Sequence, residues 1–169
     1  MMRSLRRGAA APCQRRWAST VRCAFLGAGD ISSLHAEGVA SPKVDAKLRG
    51  VWSLPGCTVV TDPAAVAAAY GCQLYGSPDE LIGDPENDAV FVLTNMESHA
   101  ELAIAAMDAG KHVLVEKPVA STVAELTAMK EASERNDVVL MPGHNYIYEP
   151  WSERTCCEFL SKSLLFILK

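Results

Sequence analysis

Short apolar runs alternate with helix-forming segments along most of this chain, and this alternation constrains the fold more than any other feature. The run DAVFVLT holds five consecutive apolar residues, which is typical of a strand buried on both faces of a parallel sheet. Strand and helix follow one another in this way from VRCAFL to DVVLM. The pattern predicts an α/β fold, a doubly wound parallel sheet whose ligand crevice lies at the carboxyl ends of the strands.

The predicted helices carry recognisable start signals. Asp62 is suited to cap one helix, and another begins at Ser121 or Thr122 with Glu125 in its first turn. In the segment ESHAELAIAAMDAG, helical spacing predicts a buried face made of Leu102, Ala105, Ala106 and Ala109.

The length of 169 residues predicts one domain with a core of its own. Hydrophobic residues make up 49% and charged residues 21%, and no run approaches the roughly 18 apolar residues of a membrane span. Six cysteines are present, without a CxxC pair or a histidine partner at the spacing of a metal site. We therefore expect free thiols in a reducing compartment, no bound metal and no membrane association.

The first twenty residues, 1–20, contain five arginines and no acid. Such a segment is typical of a transit peptide and predicts import into the mitochondrial matrix or another organelle. A disordered basic tail or an upstream start codon is the alternative, and the chain would then be cytoplasmic. Removing these five positive charges takes the net charge from -4 to -9, so the remaining chain is acidic. An acidic body argues against nucleic acid as a partner.

The stretch GAGDIS follows the first predicted strand and opens the first predicted helix. Gly27 and Gly29 fit the first two positions of the pattern GxGxxG, and Ser32 stands at the third. The first glycine allows a sharp turn, and the second lets backbone amides approach a pyrophosphate at the helix start. We assign Gly27, Gly29, Asp30 and Ile31 to a dinucleotide site, with a plain turn as the alternative reading.

The end of the second predicted strand bears on the choice of cofactor. An acid about 20 residues after the glycine turn would hold the ribose hydroxyls of NAD. The chain has Ser53 at that point, in VWSLPG, and no arginine follows it. A neutral hydroxyl does not repel a 2′-phosphate, so the sequence allows NAD or NADP and favours NADP.

The stretch LTNMESHAELAIAAMDAGKHVLVEKPVASTVAEL resembles the Gfo/Idh/MocA family, named for glucose-fructose oxidoreductase and inositol dehydrogenase. The family pattern is roughly TPxxxH followed by AGKHVxxEKP. The stretches GAGDIS, AAAYGC, SPDELI and GHNY also occur in the family's order. The resemblance covers residues 21–151 and implies a Rossmann fold that binds NAD or NADP.

The resemblance implies roles for two residues near the fourth predicted strand. Thr94 would lie near the ribose and nicotinamide of the cofactor. His99 matches the family histidine and would either orient the loop near the cofactor or cap and pack its own helix. Asn95 and Met96 depart from the family's usual residues, which puts the polar contacts of this turn in doubt.

The run EKP supplies the residues closest to the expected chemistry. By resemblance, Glu116 contacts the nicotinamide ribose and Lys117 lies near the nicotinamide and the reacting hydroxyl or carbonyl of a substrate. A cation there would assist removal of the hydroxyl proton and stabilise the developing oxyanion. Glu116 beside it would keep Lys117 oriented, and Pro118 would fix the turn, in a cis or trans form. An exposed ion pair after a strand is the alternative interpretation.

The stretch PGHNYIYEP matches the family strand that reaches the edge of the substrate site. His144, Asn145 and Tyr146 are therefore candidate substrate-side residues, and we count His144 and Tyr146 with Lys117 as candidate catalytic residues. Ile147 replaces a frequent arginine and weakens the match. Alternatively, Tyr146 is a strand-edge aromatic that packs on a neighbour.

The resemblance defines three segments: residues 1–20, an NAD(P)-binding domain at 21–150, and a tail at 151–169 that matches nothing in the family. Family members carry a second domain that supplies most substrate contacts, and we expect that domain to be missing here. One hypothesis is the cofactor half of an oxidoreductase acting on a sugar, polyol or related hydroxy or carbonyl compound. The other is a truncated, non-catalytic dinucleotide-binding fragment or pseudoenzyme. Catalysis and the oligomeric state stay open.

Overall fold

The computed structural model describes residues 20–54 and 62–144. The predicted targeting segment, except Thr20, lies outside the described residues, as do the tail 151–169 and the candidates Asn145 and Tyr146.

In the described part of the chain, six parallel strands form one sheet in the order β3-β2-β1-β4-β5-β6. The strands are β1 Val21–Leu26, β2 Ala46–Trp52, β3 Gln73–Leu74, β4 Ala89–Val92, β5 His112–Val115 and β6 Leu140–Pro142. The helices are α1 Asp30–Val39, α2 Pro63–Tyr70, α3 Pro78–Gly83, α4 His99–Asp108 and α5 Val123–Asn136, and a 3-10 turn, Met96–Ser98, precedes α4. The strand order is that of a Rossmann fold, so the predicted fold class is confirmed.

The central strand β1 is buried on both faces and separates two hydrophobic layers. Cys23 and Phe25 pack with residues of α1 and α2 on one face. Ala24 and Leu26 pack with residues of α3, α4 and α5 on the other face. Helices thus cover both faces, as a doubly wound sheet requires. None of the described helices is long and apolar enough to cross a membrane.

The helix starts follow the predicted capping chemistry. The side chain of Asp62 accepts a hydrogen bond from the backbone amide of Ala64 at 3.0 Å. The Thr122 hydroxyl caps α5 by accepting a hydrogen bond from the Glu125 backbone amide. The Glu125 carboxylate accepts one from the Thr122 backbone amide, which completes a capping box. Of the two predicted caps for α5, the structure therefore selects Thr122 over Ser121.

The predicted buried face of α4 is partly wrong. Ala106 is buried and Leu102 is half-buried, but Ala105 and Ala109 are exposed. Ala103 and Met107 are fully buried instead. Alanine occurs all around this helix, so the spacing of apolar residues distinguishes its faces poorly. Tertiary packing determines which face is buried.

A polar network lies at the amino-terminal edge of the sheet, around Lys111. Its ammonium group donates to the backbone carbonyls of Asp84 and Asn87 at 2.8 and 2.9 Å. The Tyr75 hydroxyl donates to the Asp84 carboxylate at 2.6 Å and accepts from the Asn87 amide at 3.1 Å. Burial lowers the pKa of Lys111 and raises that of Tyr75, whose hydroxyl lowers the pKa of Asp84. Most of these groups satisfy one another, as a stabilising network requires, although the buried Oδ1 of Asn87 has no hydrogen-bond partner among the described residues.

A second pair at the same edge joins β1 to the segment before β4. The Arg22 guanidinium donates two hydrogen bonds to Asp88, at 2.9 and 2.8 Å, and a third to Glu86 at 2.6 Å. The hydrogen bond from Arg22 holds the pKa of Asp88 below its ordinary value. Such a forked pair fixes geometry as well as charge.

Candidate functional site

The glycine turn lies between β1 and α1, and its two glycines serve different purposes. Gly27 has a φ of 108°, and a Cβ there would lie 2.8 Å from the backbone carbon and oxygen of Leu93. The fold therefore requires glycine at this position. At Gly29, the nearest atom to a Cβ would be the Leu93 oxygen, 4.0 Å away. The space above Gly29 is open, as close approach by a phosphate would need.

The amino terminus of α1 has no side-chain cap. Gly29 is its N-cap residue, and no side-chain hydrogen bond is made there. Side chains cap α2, α3 and α5, whereas α4, which continues from a 3-10 turn, also starts without a side-chain cap. The first-turn amides of a helix need an acceptor, and together with the helix dipole they favour an anion. Asp30 is exposed and Ile31 is half-buried in this turn. The residues present therefore fit a pyrophosphate at this helix start.

Ser53 directly follows β2 and is half-buried. The neighbouring Trp52 carbonyl accepts a hydrogen bond from the Gly27 amide at 2.7 Å, so Ser53 adjoins the glycine turn. The segment that follows, 55–61, lies outside the described residues.

His99 joins two turns at the carboxyl edge of the sheet. Its ring nitrogens lie 2.7 Å from the Pro118 carbonyl and 2.9 Å from the Thr94 carbonyl. The hydroxyl of Thr94 accepts a bond from Ser98 at 2.7 Å. Because the His99 side chain is buried, the geometry gives it a role in holding the two turns, and its contact with a cofactor stays a prediction.

The EKP turn follows β5 and separates a buried acid from an exposed base. Glu116 accepts a hydrogen bond from the Lys117 backbone amide at 2.9 Å and one from His35 Nε2 at 2.8 Å. Lys117 is exposed, and its ammonium group has no partner among the described residues. Glu116 therefore orients Lys117 through the backbone rather than through an ion pair. The peptide bond between Lys117 and Pro118 is cis.

A cavity of about 290 Å³ lies between α1 and the ends of β5 and β6. Ile31 and His35 line it from α1, Glu116 and Lys117 from the EKP turn, and His144 from the segment after β6. The structure thus brings together four groups: the helix start after Gly29, the EKP turn, Thr94 with His99, and His144. Of the predicted catalytic residues, it describes Lys117 and His144.

Sequence reasoning missed His35, one turn after Ile31 in α1. Its ring meets the ring of Phe91 edge-on, with centroids 5.5 Å apart, and that of Phe25 at 6.5 Å. Residues four apart share a helix face, so His35 lies on the side of α1 that faces the sheet. A polar ring on such a face needs a hydrogen-bond partner, and that need was the available signal.

Comparison with known proteins matches this geometry. Residues 21–144 match the Gfo/Idh/MocA oxidoreductase family, described by its NAD-binding Rossmann fold. The chain is 35% identical over 132 residues to 4-carboxy-2-hydroxymuconate-6-semialdehyde dehydrogenase of Sphingobium, covering 77% of this chain and 40% of that enzyme. It is 34% identical over 127 residues to myo-inositol 2-dehydrogenase of Thermotoga maritima, covering 74% of this chain and 36% of that enzyme.

A solved structure gives the same result. Biliverdin reductase of Synechocystis, in complex with biliverdin and NADP+, superposes with a TM-score of 0.71 at 26% identity, covering 85% of this chain and 44% of that protein. The chain spans about two fifths of the length of the curated relatives it matches. The strand order, the glycine turn and the EKP turn together agree with these matches. The chain therefore belongs to the Gfo/Idh/MocA oxidoreductase family, and residues 21–144 are its NAD-binding Rossmann domain.

Proposed function

We propose that this chain binds NADP or NAD at the carboxyl edge of the sheet, as the cofactor half of an oxidoreductase. The reaction is hydride transfer to or from a sugar, polyol or related hydroxy or carbonyl compound. Its substrate contacts come largely from a second domain of the family's kind. The alternative is dinucleotide binding without catalysis.

One observation carries the proposal: the uncapped start of α1 and Lys117, whose ammonium group has no partner among the described residues, belong to the same edge of the sheet. The contact between His35 of α1 and Glu116 joins the two regions. An anion-binding helix start is complementary to the pyrophosphate of a nicotinamide dinucleotide, and a cation at the EKP turn is complementary to the reacting oxygen of a substrate.

The residues of the chain have different roles in this proposal. A bound nicotinamide would accept or supply the hydride. Gly29 and the first-turn amides of α1 hold the pyrophosphate, and Thr94 and Glu116 contact the nicotinamide ribose. Lys117 supplies a positive charge to the substrate oxygen and stabilises the oxyanion that forms as a general base takes the hydroxyl proton. His144 and Tyr146 act on the substrate side.

Titration of the purified chain with NADPH and NADH tests the proposal. We expect saturable binding, and Gly29→Ala weakens it roughly tenfold or more because a methyl group occupies the approach of the phosphate. Gly38→Ala is the matched control, since a Cβ at this position of α1 meets no atom within 4 Å. Failure of the unsubstituted chain to bind either dinucleotide would refute the proposal.

A turnover assay distinguishes the oxidoreductase from the non-catalytic alternative. The chain is mixed with either dinucleotide and a panel of polyols, sugars and their carbonyl counterparts, and the nicotinamide absorbance is followed. Binding without turnover supports the non-catalytic alternative. Turnover that is lost in Lys117→Ala supports the enzyme and contradicts that alternative.

NADP is the favoured cofactor because Ser53 stands where an acid would repel a 2′-phosphate. Ser53→Asp is expected to lower the affinity for NADPH roughly tenfold while NADH affinity is kept. Thr127→Asp is the control, because it makes the same charge change on α5, which packs on the opposite face of the sheet from α1. Equal losses for both dinucleotides in Ser53→Asp would contradict this assignment.

The basic segment 1–20 is assigned to organellar import on its composition alone. Fused to a fluorescent protein, it should carry that protein into mitochondria, and a version with its five arginines replaced by glutamine should not. A cytoplasmic signal from both fusions would contradict the assignment.

A further inference from the structure

We propose that His35 is a positioning residue of the cofactor site, holding the Glu116 carboxylate and thereby aligning the EKP turn with the start of α1. The inference rests on the proposed function, because it concerns how the two halves of that dinucleotide site are kept in register.

The first support is that each carboxylate oxygen of Glu116 accepts a hydrogen bond. One carboxylate oxygen accepts from His35 Nε2 at 2.8 Å, and the other accepts from the Lys117 amide at 2.9 Å. Only 8% of Glu116 is exposed. A buried carboxylate is costly unless its oxygens find donors, so loss of the His35 bond leaves Glu116 free to reorient.

The second support is that both partners have little freedom to move. The His35 ring meets the edges of Phe25 and Phe91, which limits its rotation. Gly143 packs closely against the other side of Glu116. A Cβ at this glycine would lie only 3.2 Å from the same Glu116 oxygen that His35 contacts. The carboxylate is therefore confined between α1 and the chain after β6.

The third support is the place of the bond in the fold. His35 belongs to the helix whose start is expected to hold the pyrophosphate, and Glu116 precedes the lysine expected at the nicotinamide. The bond spans 81 residues of sequence and joins these two regions directly. A second histidine, His99, ties the same turn through the Pro118 carbonyl. The EKP turn is thus held by two helices from the two faces of the sheet, while the Lys117 side chain has no partner in the described part of the chain.

The expected consequence concerns only the nicotinamide half of the ligand. In His35→Ala, the start of α1 is unchanged, so ADP, which lacks nicotinamide, should bind within about twofold of the unsubstituted chain. The affinity for NADPH or NADH should fall about tenfold, the size expected for one lost hydrogen bond to a charged group. Fluorescence of the bound reduced nicotinamide should also change, because its surroundings include the reoriented Glu116.

The experiment compares the purified chain with four variants, by titration with NADPH, NADH and ADP and by thermal unfolding. His35→Gln keeps an N–H donor and should recover most of the affinity, whereas His35→Asn is too short to reach Glu116 and should behave as His35→Ala does. Glu37→Ala, at an exposed position of the same helix, is the matched control. If the alanine variant does not fold, the glutamine and asparagine variants carry the comparison.

Each contrary outcome has a distinct meaning. Equal weakening of ADP and dinucleotide binding would overturn the inference, since it indicates a general effect on α1. Undiminished dinucleotide affinity in His35→Ala, or glutamine and asparagine variants that behave alike, would also overturn it while leaving the proposed function intact. An unsubstituted chain that binds no dinucleotide overturns both.

Discussion

Two lysines flank the same strand and have opposite surroundings. Lys111 precedes β5, is buried, and donates to two backbone carbonyls. Lys117 follows β5, is exposed, and has no partner among the described residues. The difference shows how one residue type serves two purposes: a satisfied lysine stabilises the fold, and an unpaired one beside a cavity is available to a ligand.

The same contrast holds for the two edges of the sheet. At the amino-terminal edge, Arg22 and Asp88 pair with each other, and Lys111 donates to two backbone carbonyls. At the carboxyl edge, α1 starts without a side-chain cap, and Lys117 has no partner within residues 20–54 and 62–144. We infer that the residues of the amino-terminal edge stabilise the fold and those of the carboxyl edge bind the ligand. Gly27 is the exception, because it lies at the carboxyl edge but is needed for the fold.

Gly27→Ala should have the largest effect on stability, because its φ is positive and the new methyl group meets the Leu93 backbone at 2.8 Å. We expect the free energy of unfolding to fall by about 3 kcal/mol, measured by urea denaturation. Gly29→Ala is the control and should change this value by less than about 1 kcal/mol, since its methyl group meets open space. Equal destabilisation by the two variants would contradict the different roles of the two glycines.

The lysine pair gives the next largest effect. Lys111→Met leaves two buried carbonyls without their donor and should lower the free energy of unfolding by about 2 kcal/mol. Lys117→Met should change it by less than about 0.5 kcal/mol, as is usual for exposed sites without partners. Both changes are measured by urea denaturation. Dinucleotide affinity should instead fall more in Lys117→Met than in Lys111→Met. Two lysines with equal effects on stability would remove the basis of the comparison.

Acid sensitivity gives a smaller effect at the amino-terminal edge. The pKa of Asp88 is lower in the folded chain than in the unfolded chain, because Arg22 stabilises the charged form. Its contribution is therefore present above the unfolded value of about 4 and is lost as the pH falls through the lower folded value.

Asp88→Asn should lower the free energy of unfolding by about 1 kcal/mol at neutral pH, and the difference should shrink below about pH 4. Urea denaturation at a series of pH values measures this. Asp45→Asn, at an exposed position before β2, is the control. A difference that is constant with pH would contradict the role given to the pair.

The fold was predictable because its signals are local. Alternating apolar runs and helix starts such as Asp62 act within a few residues of each other, and Gly27 and Gly29 sit in the order of strand, turn and helix. The bond between His35 and Glu116 was not predictable, since it joins residues 81 apart and depends on how α1 lies across the sheet. The buried face of α4 was mispredicted for a similar reason, because packing decided between alanine faces that the sequence does not distinguish.

We infer that dinucleotide binding is confined to the carboxyl edge of the sheet. Amide chemical shifts of the isotope-labelled chain, recorded as NADPH or NADH is added, test this inference. We expect large shifts at Gly27, Gly29, Thr94 and Lys117, and none at Lys111 or its neighbours. Shifts concentrated around Lys111, or no shifts at saturating dinucleotide, would contradict it.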